Sequence, residues 1–339
     1  QIEHGTLALL AQHRSVGHAI AGIIVPDLSQ YTHLGDALTM TDNLIYKPDM
    51  EKNESDGFHS GKFDDRWAFT TRSSALNYGS IAALAAASRA LAGYNDTLAA
   101  ECLKTAQNVW TEEHSHEPFT FHHGNTTGGR IESEELKAAV ELLICTKEIQ
   151  YANRINELFT LLQDQFFFNT SSFVRALPHM NETYKRAIRE IIPKYNENLK
   201  NILQQNPFGV PISTGGWAGN GWVVGSGINH YLLHKAFPDL INPDYIYRCL
   251  DYIYGCHPGS NISFVSGVGT VSKKVAYGSN RVDFSFIPGG VVPGVLILKP
   301  DFPENKEDWP YLWGENEYVI SLGSSYLYLV QAALDLLSE

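Results

Sequence analysis

The sequence predicts an all-α protein built as a toroid of helix hairpins, and three observations point there. Apolar residues recur at helical spacing along most of the 339 residues. The periodic runs come in adjacent pairs separated by short breaks, as antiparallel helix hairpins do. Between the pairs lie long Gly- and Asn-rich segments carrying aromatic residues, which at one end of a ring of hairpins would build a single cleft. No fixed-period self-similarity runs through the chain, which disfavours a helical solenoid. Neither a Gly-rich phosphate fingerprint after a strand nor a GxSxG motif is present, so dinucleotide-binding and α/β-hydrolase architectures drop out. One large domain, residues 1–339, is expected.

Taken in order, the chain opens on Gln1-Ile2-Glu3-His4, and GTLALLAQH already has helical spacing with no cap before it. The start therefore reads as a cut, with further protein expected upstream of Gln1. SALNYGSIAALAAASRALAGY (Ser74–Tyr94) is Ala-rich and strongly helix-forming, with Gly93 at its end. TLAAECLKTAQNVWTEEH (Thr97–His114) follows, with Asp96 or Thr97 available as its cap. SEELKAAVELLICTKE (Ser133–Glu148) has Ser133 as a candidate cap and acids in its first turn, and QYANRINELFTLLQDQFFF continues the pattern. Further helices are expected at Glu182–Gln205, Gly225–Ala236 and Asp244–Tyr254, and the last within Ser325–Leu337. THLGDALTMTDN, HHGNTTGG, STGGWAGNGW, PGSNISFVSGVGT and YGSNRVDFSFIPGGVVPG read as the intervening loops.

Composition narrows the function. With 44% hydrophobic and 18% charged residues the chain is ordinary for a globular protein, and no run approaches the roughly 20 apolar residues of a membrane span. A formal charge of −12 with no offsetting basic stripe disfavours nucleic acid as a partner. Aromatic residues among Gly and Asn suit sugar faces. Four cysteines show neither a CxxC pair nor metal spacing, so buried free thiols are expected. Sequons at Asn53, Asn95, Asn125, Asn169, Asn181 and Asn261 permit a secreted source.

The chemistry centres on LWGENEYVISLGSSYLYLVQAAL (Leu312–Leu334), where Glu315 and Glu317 stand before a helix. Carboxylates favour a helix N-terminus for purely structural reasons. In a cleft rimmed by Trp313 and Tyr318, the same carboxyl would keep its proton and act as a general acid. Trp217 and Trp222 in STGGWAGNGW are candidate platforms for pyranose rings, and Trp67 is a third. His114, His116, His122 and His123 form the most metal-like cluster, although their spacing is unspecific and no metal site is assigned.

Trp313-Gly314-Glu315-Asn316-Glu317-Tyr318 and its closing helix resemble the end of the glycoside hydrolase family 9 catalytic domain, where an Asn-Glu pair supplies the proton donor. Asp251–Gly255, Pro258-Gly259-Ser260 and Phe264–Gly269 resemble that family's "DYLLG-NP-G-SYVTGFG" segment. Ser73–Arg89, Glu134–Ala139 and Tyr31–Asp36 resemble its inner Ala-rich helix, its "DELAWAA" helix and its "YVQVGD" loop, which brings Asp36 forward as a substrate-binding candidate. The resemblance implies an (α/α)6 barrel and inverting hydrolysis of β-linked glucans, with Glu317 as general acid. An inverting pair holds its carboxyls about 6.5–9.5 Å apart.

Two departures stand out. The family's base Asp belongs to a "DAGD" motif absent from this sequence, and the resemblance places it upstream of Gln1. Asp36, Asp42, Asp64 and Asp65 are internal stand-ins, each with a plainer reading as a turn-former, a loop cap, a surface pair or a partner of Arg66. Where cellulases of the family carry His-His-Arg, this chain reads AYGSNRVDF, so Arg281 alone stands for the sugar-gripping Arg. An ion pair with Asp283 is its structural alternative. The loss of the His pair widens the expected substrates to glucosamine-containing or branched glucans. Glu134 and Glu135 fall where some relatives hold a structural calcium; no cofactor is otherwise expected. Two other functions remain open, a glycan-binding relative without turnover and an α/α-toroid polysaccharide lyase. The expected location is secreted or periplasmic.

Overall fold

The computed structural model describes residues 1–24, 41–124, 126–212, 219–257, 261–273, 286–294 and 318–338. These fall into two compact units, residues 1–188 and 189–338.

The first unit is a layered stack of helices α1 (Ile2–Val16), α2 (Ser74–Leu91), α3 (Asp96–Glu113), α4 (Ile131–Thr146), α5 (Ile149–Leu162) and α6 (Phe166–Ala176). α2 lies centrally, against α1, α3 and α4. Its Ala residues and Ser74, Asn77 and Ser80 are small enough for close approach, and Ile81 and Leu84 fill the layer at full burial. Four short strands precede it: β1 (Ile23–Ile24) pairs antiparallel with β4 (Trp67–Ala68), and β2 (Ile45–Tyr46) pairs parallel with β3 (His59–Ser60).

In the first unit two helix starts differ from expectation. Asn95, not Asp96 or Thr97, caps α3, its side chain accepting from Leu98 N–H. α4 begins at Ile131 rather than after Ser133, because Glu134 reaches back from the first turn to the Gly129 N–H at 3.1 Å and closes the end from inside.

α7 (Glu182–Leu203) contains Pro193 and carries the boundary between the units at Ile188. The second unit continues with α8 (Gly219–Ala236), α9 (Asp244–Ile253), the parallel pair β5 (Ile262–Ser263) and β6 (Val271–Ser272), and α10 (Ile320–Leu337). α8 packs on α9 and on α10 across Gly227, where an added Cβ would stand 2.9 Å from Leu329 Cδ1 and 3.2 Å from Cys249 Cβ. By length and composition α10 is apolar enough to cross a membrane, contrary to the expectation that no segment would be. Its contacts are those of a packed helix: Tyr326 meets Tyr254, and Asp335 accepts from Tyr231 and Lys235. All four cysteines are free; Cys102 and Cys249 are buried, whereas Cys256 is exposed.

Candidate active site

α9 ends where Gly255 turns with φ 88°, in the left-handed region that favours glycine. A Cβ there would lie 2.7 Å from the Ile262 carbonyl carbon, so the chain returns flush against its own helix end. Phe264 N–H then donates to the Ile253 carbonyl at 2.9 Å, and Val292 N–H donates to the Phe264 carbonyl at 3.0 Å. Ser266 N–H donates to the Gly290 carbonyl at 2.9 Å, and the Ser266 carbonyl accepts from Gly289 N–H at 2.7 Å. The segments 261–273 and 286–294 thus form one backbone-bonded frame.

Tyr318 locks onto this frame. Its hydroxyl donates to Ser266 Oγ at 2.7 Å and accepts from Ile287 N–H at 3.2 Å, while Ser266 Oγ donates onward to the Lys273 carbonyl at 2.7 Å. The ring lies so close over Gly290 that a Cβ there would come within 2.5 Å of Tyr318 Cε1. The hydroxyl of Tyr318, expected at the rim of a sugar cleft, both donates to and accepts from the frame. A third tie comes from α8, whose Asn220 is fully buried and donates from Nδ2 to the Val292 carbonyl at 2.8 Å.

That tie moves a helix boundary. Gly219, Asn220, Gly221 and Trp222 were expected in a Gly-rich loop, with the helix starting at Gly225. The structure places them in the first turn of α8, because the Asn220 anchor to residues 292–294 outweighs the weak helix propensity of glycine. Trp222 therefore projects from a helix, 44% exposed. Glu317, Glu315, Trp313, Arg281, Trp217 and Asp36 lie outside the described residues.

In the first unit the internal Asp stand-ins serve local structure. Asp64 is buried, not part of a surface pair; its Oδ2 accepts from Asp42 N–H at 2.9 Å and pairs with Lys62 at 2.8 Å. Asp42 accepts from Leu44 N–H and the Ser60 hydroxyl, and these bonds hold its carboxyl below its ordinary pKa. Asp65 accepts from Tyr46 N–H at 2.7 Å. Trp67 is exposed on β4.

The four histidines separate. His114 Nε2 bonds Glu135 Oε1 at 2.9 Å, His122 bonds Thr127, and His116 meets Glu112 and Glu113. Glu135 also takes two bonds from Arg154, at 2.6 and 2.9 Å. Burial works to raise the Glu135 carboxyl, but the bonds from His114 and Arg154 outweigh it and hold the pKa low. Glu135 raises His114 in turn. With both Glu135 oxygens occupied by these donors, the carboxylate does not fit a calcium ion.

The model of glycosyl hydrolase family 9 matches residues 29–281, the greater part of the chain, and the chain belongs to that family. Among solved structures it is similar to a GH9 protein of Bacteroides ovatus, with TM-score 0.64 and 18% identity over 96% of this chain and 60% of that one. It is similar to a single mutant of a thermostable endoglucanase from Alicyclobacillus acidocaldarius, with TM-score 0.64 and 18% identity over 80% of this chain and 56% of that one. It also matches the cellulase Cel9M of C. cellulolyticum, solved in complex with cellobiose, with TM-score 0.62 and 16% identity over 82% of this chain and 68% of that one. The fold is thus the expected all-α one, of the (α/α)6 class. The chain spans little more than half the length of the first two structures. No curated protein matches the sequence.

Proposed function

We propose that the protein hydrolyses β-linked glycans with inversion at the anomeric carbon, Glu317 serving as general acid. The observation that supports this reading is the Tyr318 lock: in a member of this hydrolase family, the residue directly after Glu317 is fixed by two hydrogen bonds and by ring contact with Gly290. Glu317 gives its proton to the glycosidic oxygen as that bond breaks. A water activated by a carboxylate on the opposite face attacks the anomeric carbon. The base is an Asp upstream of Gln1. Arg281, Trp217, Trp222 and Trp313 bind sugar hydroxyls and ring faces, and Asp36 contributes from its loop. The substrate is a cellulose-like or glucosamine-containing β-glucan, in keeping with the cellobiose bound by Cel9M. A polymer that cannot cross a membrane assigns the protein to a secreted or periplasmic location.

The deciding experiment is Glu317→Gln in the full-length protein, assayed on a panel of β-glucans and chitosan oligomers, with Glu315→Gln as control. A loss on the order of 1,000-fold in turnover is expected for Glu317→Gln. Near wild-type turnover on every cleaved substrate would remove Glu317 as the acid. Glycan binding by the wild-type protein without any turnover would instead establish the non-catalytic reading, and a product absorbing in the ultraviolet would mark a lyase.

A further inference from the structure

α3 ends in two consecutive acids, Glu112 and Glu113, and the turn after it carries His116. A helix C-terminus is the negative end of the backbone dipole, where carboxylates are disfavoured, and this one has no basic residue in its last turn. Glu113 is only 3% exposed. Its Oε1 accepts from the Asn77 amide at 2.5 Å, and its Oε2 is buried without a hydrogen-bond partner. Glu112 gives Oε1 to Arg72 at 2.5 Å, and its Oε2 is likewise buried and unpartnered.

His116 completes the set. Its Nδ1 lies 2.8 Å from the Glu117 carbonyl, which only accepts, so Nδ1 carries the proton. Nε2 is buried without a hydrogen-bond partner and lies 3.6 Å from Glu112 Oε1. One ligand atom from each of the three side chains lies within 4.8 Å of the others. Two carboxylates and an imidazole this close, each with a buried polar atom that lacks a hydrogen-bond partner, favour a cation between them.

We propose that Glu112, Glu113 and His116 bind one divalent transition-metal ion, and that Zn²⁺ is the ion their donor set suits best. Imidazole with carboxylates favours zinc over calcium or magnesium, which prefer all-oxygen shells. Two carboxylates and one imidazole leave a fourth tetrahedral position for water. Ligand atoms about 2.1 Å from a shared ion stand roughly 3–4 Å apart, so small side-chain rotations close the site. Asn77, Arg72 and the Glu117 carbonyl hold the remaining polar atom of each ligand, the arrangement that orients metal ligands in protein sites. His114, between the acids and His116 in sequence, is not a ligand: its nitrogens are engaged by the Trp110 carbonyl and Glu135. Because Asn77 belongs to α2 and Arg72 enters it, the ion ties the end of α3 to α2 and its role is structural.

The test uses the full chain, stripped with a chelator and titrated with ZnCl₂, MnCl₂ and CaCl₂ by calorimetry, with CoCl₂ followed by visible absorption. One Zn²⁺ per chain is expected, preferred over Ca²⁺, with a tetrahedral Co²⁺ band at the same stoichiometry. His116→Ala and Glu113→Gln are each expected to weaken Zn²⁺ binding on the order of 100-fold, while His122→Ala and His123→Ala, which remove exposed imidazoles, leave it unchanged. Absence of Zn²⁺ binding by the wild-type chain overturns the proposal without relying on any variant. Undiminished binding after folded His116→Ala, or a preference for calcium, overturns it as well.

Discussion

The Tyr318 hydroxyl donates to Ser266 Oγ at 2.7 Å across 52 residues of sequence, and the Ser266 hydroxyl in turn donates to the Lys273 carbonyl. Tyr318→Phe keeps the ring over Gly290 but leaves Ile287 N–H without its acceptor. A loss of about 1–2 kcal/mol in unfolding free energy is expected, read from denaturant midpoints. If Glu317 is the acid, turnover falls with little change in KM, because the variant alters the position of the proton donor and no sugar contact.

Three glycines should order by what a methyl group meets. Gly255→Ala combines positive φ with backbone atoms 2.7 Å away and is expected to cost about 4 kcal/mol or more. Gly227→Ala pushes on Leu329 and Cys249 and costs about 1–3 kcal/mol. Gly221→Ala, inside α8 with nothing within 4 Å, stabilises by up to about 1 kcal/mol. Thermal unfolding of the three variants checks the order, and a destabilised Gly221→Ala contradicts it.

Glu135 is buried and takes two bonds from Arg154 and one from His114. Arg154→Met strands most of that charge and is expected to cost about 3 kcal/mol. Adding Glu135→Gln removes the stranded charge, so the double variant should regain at least half of the loss. A double-mutant cycle in denaturant measures the coupling.

Burial lowers His230 to about 4, and His257 likewise, from an ordinary 6.5. Both folded values lie below the unfolded one, so the unfolded chain takes up protons first as pH falls. Their contribution to stability is full above about 6.5 and is lost between there and about 4, with a slope approaching one proton per histidine. Urea midpoints across this window should fall with acidity. His257→Phe, in a pocket lined by the rings of Phe208, Tyr252 and Phe264, should flatten the slope by one proton.

Helices were legible because their signal is local: the apolar spacing of Ser74–Tyr94 needs no knowledge of what α2 packs against. Boundaries failed where a distant partner decided them, as when Asn220 reaches residues 292–294 and draws a glycine-rich stretch into α8. The same reason hid the role of Tyr318. Its partners Ser266, Ile287 and Gly290 lie far away in sequence. In the histidine cluster the sequence offered four equivalent imidazoles. Only the structure separates His114, committed to Glu135, from His116, whose Nε2 stands beside two acids. Asp64 likewise looked like a surface acid because its partners, Asp42 N–H and Lys62, come from a loop with no periodic pattern.

The frame around Ser266 also has a consequence in time. Hairpins such as α2 with α3 close short loops and can form early, whereas the frame joins segments that begin near residues 261, 286 and 318 and must wait for long loops to close. Tyr318 is therefore secured late in folding. Refolding followed by helix signal should run ahead of hydrogen-exchange protection of the Ile287 and Val292 N–H groups.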